Sequence, residues 1–161
     1  MRGEIILALL VAGVIIMLLA PCLVAWFSPS SAPRELSASE HLVRGVKMGN
    51  AEDYDRALRE FDQAIAMDPN CADAYYNRGI IHKRRAEWLK AKEEFDQALA
   101  IEPRFIDALY ERAGVHRALG RYSEAIADLE ACLIILEDMP DADRAHLEGL
   151  IQEIKREAES L

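Results

Sequence analysis

His82 and His116 are the two side chains best suited to acid–base chemistry, and they stand 34 residues apart. On successive copies of one structural unit, that spacing gives them equivalent places, where two imidazoles can approach across an interface. Nothing around them completes a reaction centre. The chain has no glycine-rich phosphate loop, no dinucleotide-binding glycine fingerprint, no GxSxG elbow and no HExxH pair. Cys22, Cys71 and Cys132 form neither a CxxC pair nor a Cys/His spacing that ligates a metal, and three cysteines make no disulfide framework. The many carboxylates read as solvent-facing charge on helices. These residues imply a protein that is not an enzyme and that uses no metal, cofactor or small-molecule substrate.

What the chain does contain is a copied unit. Glu60-Phe61-Asp62-Gln63-Ala64 returns as Glu94-Phe95-Asp96-Gln97-Ala98, 34 residues later. Ala57 matches Ala91, Pro69 matches Pro103, and Asp73, Ala74, Tyr76 and Arg78 match Asp107, Ala108, Tyr110 and Arg112 at the same shift. A third copy keeps register, with Ala125, Leu129 and Cys132 where the second has Ala91, Phe95 and Ala98, and with Ala113 in line with Gly45 and Gly79. Ala57, Phe61, Ala64 and Ile65 recur at three- or four-residue steps, which puts them on one stripe of a helix. Ser37 and Glu40 have the capping-box spacing that satisfies free amides at a helix start. Pro69 and Pro103 cannot continue a helix and mark the crossing to the next copy. No strand alternation competes with this helical pattern.

Period, small-residue columns, aromatics and prolines together resemble the tetratricopeptide repeat, a 34-residue helix–turn–helix unit. The resemblance covers units 38–71, 72–105 and 106–139. It implies an all-α, right-handed solenoid of three units. The third departs from the pattern, with Glu137 in the proline place and Pro140 three residues late. Residues 140–161 then read as a capping helix, with Asp141 as N-cap. Its apolar face is Leu147, Leu150, Ile151, Ile154, Ala158 and Leu161, opposite Glu148, Lys155, Arg156 and Glu159. In this family His82 and His116 fill a slot commonly held by tyrosine, which gives them a packing role.

The resemblance also assigns a binding face, because the first helix of each unit lines the concave groove. That face is Leu42, Val43 and Val46 from the first unit. Tyr76, Asn77, Ile80, Lys83 and Arg84 come from the second, and Tyr110, Glu111 and Arg117 from the third. The tyrosines offer contact area with a polar tip. Lys83, Arg84 and Arg117 are cations suited to acidic side chains of a peptide. Relatives that grip chaperone C-termini use a clamp of two lysines, two asparagines and one arginine, and only Asn77 fits it. Leu42 and Val46 replace a lysine and an asparagine, while Asp107 and Glu111 replace the other lysine and the arginine. That pattern argues against a chaperone-tail adaptor.

Composition narrows the partners further. The formal charge of −9 over 161 residues opposes a nucleic-acid footprint, and Lys83-Arg84-Arg85 reads as a solvated helix face. Residues 1–27 hold an uncharged run of 23 residues, Ile5 to Phe27, with Pro21 and Trp26 near its end. As a helix it spans roughly 34 Å, enough to cross a bilayer as a single anchor. Two alternatives stay open: a cleaved signal peptide, giving a secreted or periplasmic protein, and a lipoprotein signal with lipid on Cys22. Residues 28–37, rich in proline and serine, form a tether of at most about 33 Å. Flanking charges lean towards the repeats lying on the non-cytoplasmic side.

The sequence therefore predicts a single-pass membrane protein, held in the lipid bilayer by residues 5–27, whose groove binds a protein segment. It would serve as an assembly factor or accessory subunit of a membrane complex. The alternative is a structural subunit held through its anchor and capping helix, with the groove unused.

Overall fold

A computed structural model describes residues 35–136 and 141–160. Seven helices and no strand are found among the described residues: α1 (Ala38–Asn50), α2 (Tyr54–Met67), α3 (Ala72–Arg84), α4 (Trp88–Ile101), α5 (Ile106–Ala118), α6 (Tyr122–Ile135) and α7 (Asp141–Glu159).

 Each helix packs on the next in sequence, and the first helices of neighbouring units also touch. The all-α solenoid of repeated helix pairs is thus present, with α7 running from Asp141 to Glu159 as its last layer.

Local chemistry explains the boundaries. Ser37 and Glu40 form the expected capping box at the start of α1, and Asp53 accepts from the Arg56 amide to cap α2. After α2 and α4 the chain turns through Pro69 and Pro103, closed by Cys71 N–H to Asp68 C=O and Phe105 N–H to Glu102 C=O, both 3.1 Å. The turn inside each helix pair needs one left-handed residue. Glu52 (φ 61°), Ala86 (φ 56°) and Gly120 (φ 71°) hold that place, and only the third has the residue that adopts it without strain.

The copied columns build the core. Ala57, Ala91 and Ala125 are fully buried, as are Ala64, Ala98 and Cys132. Phe61, Phe95 and Leu129 are at most 1% exposed. Gly45 and Gly79 let their helices come up against the phenyl rings of Phe61 and Phe95. Ala113 takes the same column where the smaller Leu129 replaces the ring.

An arginine ladder runs through the stack. Arg78 donates to Asp62 of the preceding unit at 2.7 Å and to Glu94 of its own at 2.8 Å. Arg112 repeats this with Asp96 at 2.6 Å and a bidentate grip on Asp128 at 2.6 and 2.9 Å. Arg44 has only Glu60, at 3.6 Å, because no second helix of an earlier unit faces it among the described residues.

The outward face of α1 is polar where its counterparts are covered. Exposed Lys47 stands where Ile81 and Val115 are 3% and 0% exposed, and Glu40 stands where Ala74 and Ala108 are fully buried. Among the described residues, that side of the stack carries polar side chains where the later units carry apolar ones. At the other side α7 packs on α6 and buries Leu147, Ile151 and Ile154 in the cluster that joins the last helices, with Leu150 partly buried. Ala158, expected on the same face, is exposed, so the buried stripe stops at Ile154.

No helix among the described residues is long and apolar enough to cross a membrane. The expected anchor 5–27, Cys22, residues 28–34 of the tether and Leu161 lie outside the described residues, as does the side chain of Asp141.

Candidate functional site

The groove residues come from α1, α3 and α5, and the fold engages most of them already. Leu42 and Val46 pack on Phe61 and Ile81, whereas Val43 is 67% exposed. Ile80 packs into the cluster of Ala91, Phe95 and Val115. Tyr76 is a packing residue as much as a surface one: its ring centroid lies 6.0 Å from Phe95 and 5.0 Å from Phe105. Burial, with Glu111 and Asp107 nearby, pushes its hydroxyl up to about 12, so it stays a neutral donor. Tyr110, in the same column, is 39% exposed. Asn77 donates to the Asp73 carbonyl at 2.7 Å, a bond within its own helix.

The three cations are not a free set for an acidic peptide. Lys83 reaches across from α3 to pair with Glu111 on α5. Arg117 donates to Glu153 at 2.6 Å and to Glu157, both on α7, and these bonds hold its guanidinium charged more firmly than usual. Arg84 is exposed and donates to the Gly49 carbonyl at 3.3 Å. Reading the first helices alone missed this, because the neutralising carboxylates of Glu153 and Glu157 arrive from a helix outside the 34-residue pattern.

The structure brings the candidate residues together in two places. Val46, Asn77, Ile80 and Arg84 surround a narrow cleft of about 30 Å³ between α1 and α3. Lys83, Tyr110 and Arg117 rim a hollow of about 160 Å³ floored by Ala113, Leu129, Leu150 and Ile154. The floor was not among the expected site residues. The signal for it was present in the column Val46, Ile80 and Gly114, where the third member has no side chain.

The residues with chemical potential are each used within their own unit. His82 Nδ1 lies 2.8 Å from Glu87, and His116 Nε2 lies 3.8 Å from Asp128, so neither contact involves the other imidazole. His116 is 5% exposed and its Nδ1 has no hydrogen-bond partner among the described residues. Cys132 is fully buried with its thiol directed at the Ile106 carbonyl, 3.7 Å away, and burial pushes the thiol up to about 11. That keeps it a packed thiol rather than a nucleophile. Among the described residues, no group of three or more His, Cys, Asp or Glu side chains could hold a metal ion.

Comparison with known proteins agrees with the helix-pair geometry. Family models described as TPR repeat and tetratricopeptide repeat match residues 51–85, 72–105 and 106–133. Over 50 residues the chain is 30% identical to the Hsp70-Hsp90 organising protein of Plasmodium falciparum (isolate 3D7), a stretch that is 31% of this chain and 9% of that protein. Among solved structures, the first TPR of Spaghetti (RPAP3) bound to HSP90 peptide SRMEEVD superposes with a TM-score of 0.67 at 20% identity, covering 74% of this chain and 91% of that one. The TPR2B-domain:pHsp70-complex of yeast Sti1 gives 0.67 at 20% identity, with 74% and 97% covered. MamA gives 0.61 at 27% identity, with 63% and 59% covered. The three family matches run together from residue 51 to residue 133, just over half of the chain, and the chain belongs to the tetratricopeptide-repeat family.

Proposed function

We propose that this protein is an interaction scaffold that holds a segment of a partner protein along the face formed by α1, α3 and α5. The observation that carries the reading is the contrast between columns. Second-helix core positions repeat almost unchanged, while Val43, Asn77 and Glu111 hold equivalent places on the first helices and no two match. A surface that varies on a constant frame is how repeat proteins carry specificity. Similar domains solved with HSP90 and pHsp70 peptides support a peptide-holding role.

The uncharged run from Ile5 to Phe27 supports a further step, in which the scaffold is held at a membrane and assembles a membrane complex there. A photo-crosslinker placed at Tyr110, with a second placed at exposed Leu89 on α4, tests the groove. Adducts at Tyr110 that disappear when Val43, Asn77 and Glu111 are all replaced by alanine support it. Equal adducts at both sites sink it. Protease protection of the full chain in native membranes tests the anchor and its orientation.

A further inference from the structure

The inner face of the third unit departs from the other two at one place. Val46 and Ile80 are partly buried side chains of one column, and Gly114 is its third member. A glycine inside a helix is normally a cost relative to alanine. Here neither backbone nor packing requires it. Gly114 lies within α5 at an ordinary helical conformation, and a Cβ built there would meet only the Lys83 Nζ, at 3.7 Å. What the missing side chain leaves is space: the hollow of about 160 Å³ between α5 and α7. Its floor is apolar, with Leu129 fully buried, Ile154 1% exposed and Leu150 partly buried. An apolar cavity of about 150 Å³ is large enough to take a benzene ring.

The rim has a sign. Lys83 is neutralised by Glu111, and the single charge of Arg117 is shared by two carboxylates, Glu153 and Glu157. The surplus around the hollow is therefore negative, and Tyr110 adds a ring face beside it.

We propose that the Gly114 hollow is an anchor socket that receives one Leu-, Ile- or Phe-sized side chain from an extended partner segment whose flanking residues are basic. This rests on the groove reading above and names the chemistry of its ligand. It differs from the acidic tail carried by the HSP90 peptide SRMEEVD in a similar domain, because the two cations on the rim of the hollow, Lys83 and Arg117, are already paired with carboxylates.

The test uses the full chain in lipid nanodiscs and three acetylated, amidated tripeptides: Lys-Leu-Lys, Lys-Ala-Lys and Glu-Leu-Glu. Methyl and amide NMR shifts report occupancy. The leucine peptide with lysines is expected to shift Leu129, Leu150 and Ile154 saturably, with a Kd about tenfold below that of either other peptide. Gly114→Ile places in the socket the side chain that Ile80 carries in the same column, so the fold is retained while binding is lost. Circular dichroism and a urea transition verify the fold, and Gly114→Ala supplies a second variant in which the socket is only partly filled. Absence of shifts, equal affinity for the leucine and alanine peptides, or binding that survives Gly114→Ile overturns the socket. Self-association abolished by Gly114→Ile overturns it too, by assigning the hollow to a second copy. Crosslinking at Val43 and Tyr110 unaffected by Gly114→Ile removes the socket and leaves the groove reading standing, whereas no partner adduct at either residue sinks the groove reading itself.

Discussion

The phenyl ring of Phe95 occupies the place where a side chain on Gly79 would project: a Cβ there falls 2.7 Å from Cε1. Phe61 stands in the same relation to Gly45, and the third unit solves the contact differently, with Ala113 against Leu129. Gly79→Ala is therefore expected to destabilise by about 2 kcal/mol through overpacking. Phe95→Leu in the same chain should return part of that loss, since the pair then copies the third unit. A double-mutant cycle by urea unfolding measures the coupling, and strictly additive costs would refute it.

Ala86 and Glu52 pay the left-handed turn that Gly120 adopts freely. Ala86→Gly should stabilise by about 0.5–1 kcal/mol, less the entropy that glycine adds to the unfolded chain, and Gly120→Ala should cost about 1 kcal/mol. Thermal and urea midpoints of the two variants are expected to move in opposite directions.

Arg112 holds Asp96 and Asp128, the latter 9% exposed at its side chain, whereas Arg44 is 50% exposed and meets Glu60 at 3.6 Å. Arg112→Met strands a buried carboxylate and should cost about 2 kcal/mol. Arg44→Met should change stability by no more than about 0.5 kcal/mol. Similar losses for the two variants would show that the ladder carries no graded burial.

Burial holds the His116 imidazole below its ordinary value, with Arg112 and Lys92 acting in the same direction and Asp128 and Glu124 opposing. The unfolded chain therefore takes up this proton first. The stability that a neutral His116 permits is present above its unfolded value, near 6.5, and is lost as pH falls through that value towards the folded one. His116→Leu removes this dependence and an orphaned Nδ1, so it should stabilise by about 1 kcal/mol at neutral pH. Urea midpoints at about pH 7.5 and 5.5 test it: the parent chain should lose more than the variant on acidification.

The repeat frame was legible because its signals are local and copied. Ser37 with Glu40, the proline turns and the columns of Ala57 and Phe61 each act within one unit, so spacing alone exposes them. The groove was legible as a face but not as a charge pattern. Whether Lys83 and Arg117 are free depends on Glu111, Glu153 and Glu157, and the last two come from a helix whose packing the period does not specify. The same holds for the hollow at Gly114, half of whose floor belongs to α7. The packing role of Tyr76 is invisible in its own helix, because the rings that flank it, Phe95 and Phe105, come from the following helix and turn.

The polar outer face of α1 has a mechanical consequence. The cluster beneath it contains three buried side chains, Ala57, Phe61 and Ile81, while the cluster that joins α4 to α7 contains eleven. With Lys47 exposed in place of an apolar side chain, the first helix pair shares a smaller buried apolar cluster with its neighbour than the last helices share among themselves. A pull on the chain from residue 36 would peel that pair away first and leave the hollow between α5 and α7 intact. A stack graded in this way is expected to yield at its entry before the cluster that holds α5, α6 and α7 opens.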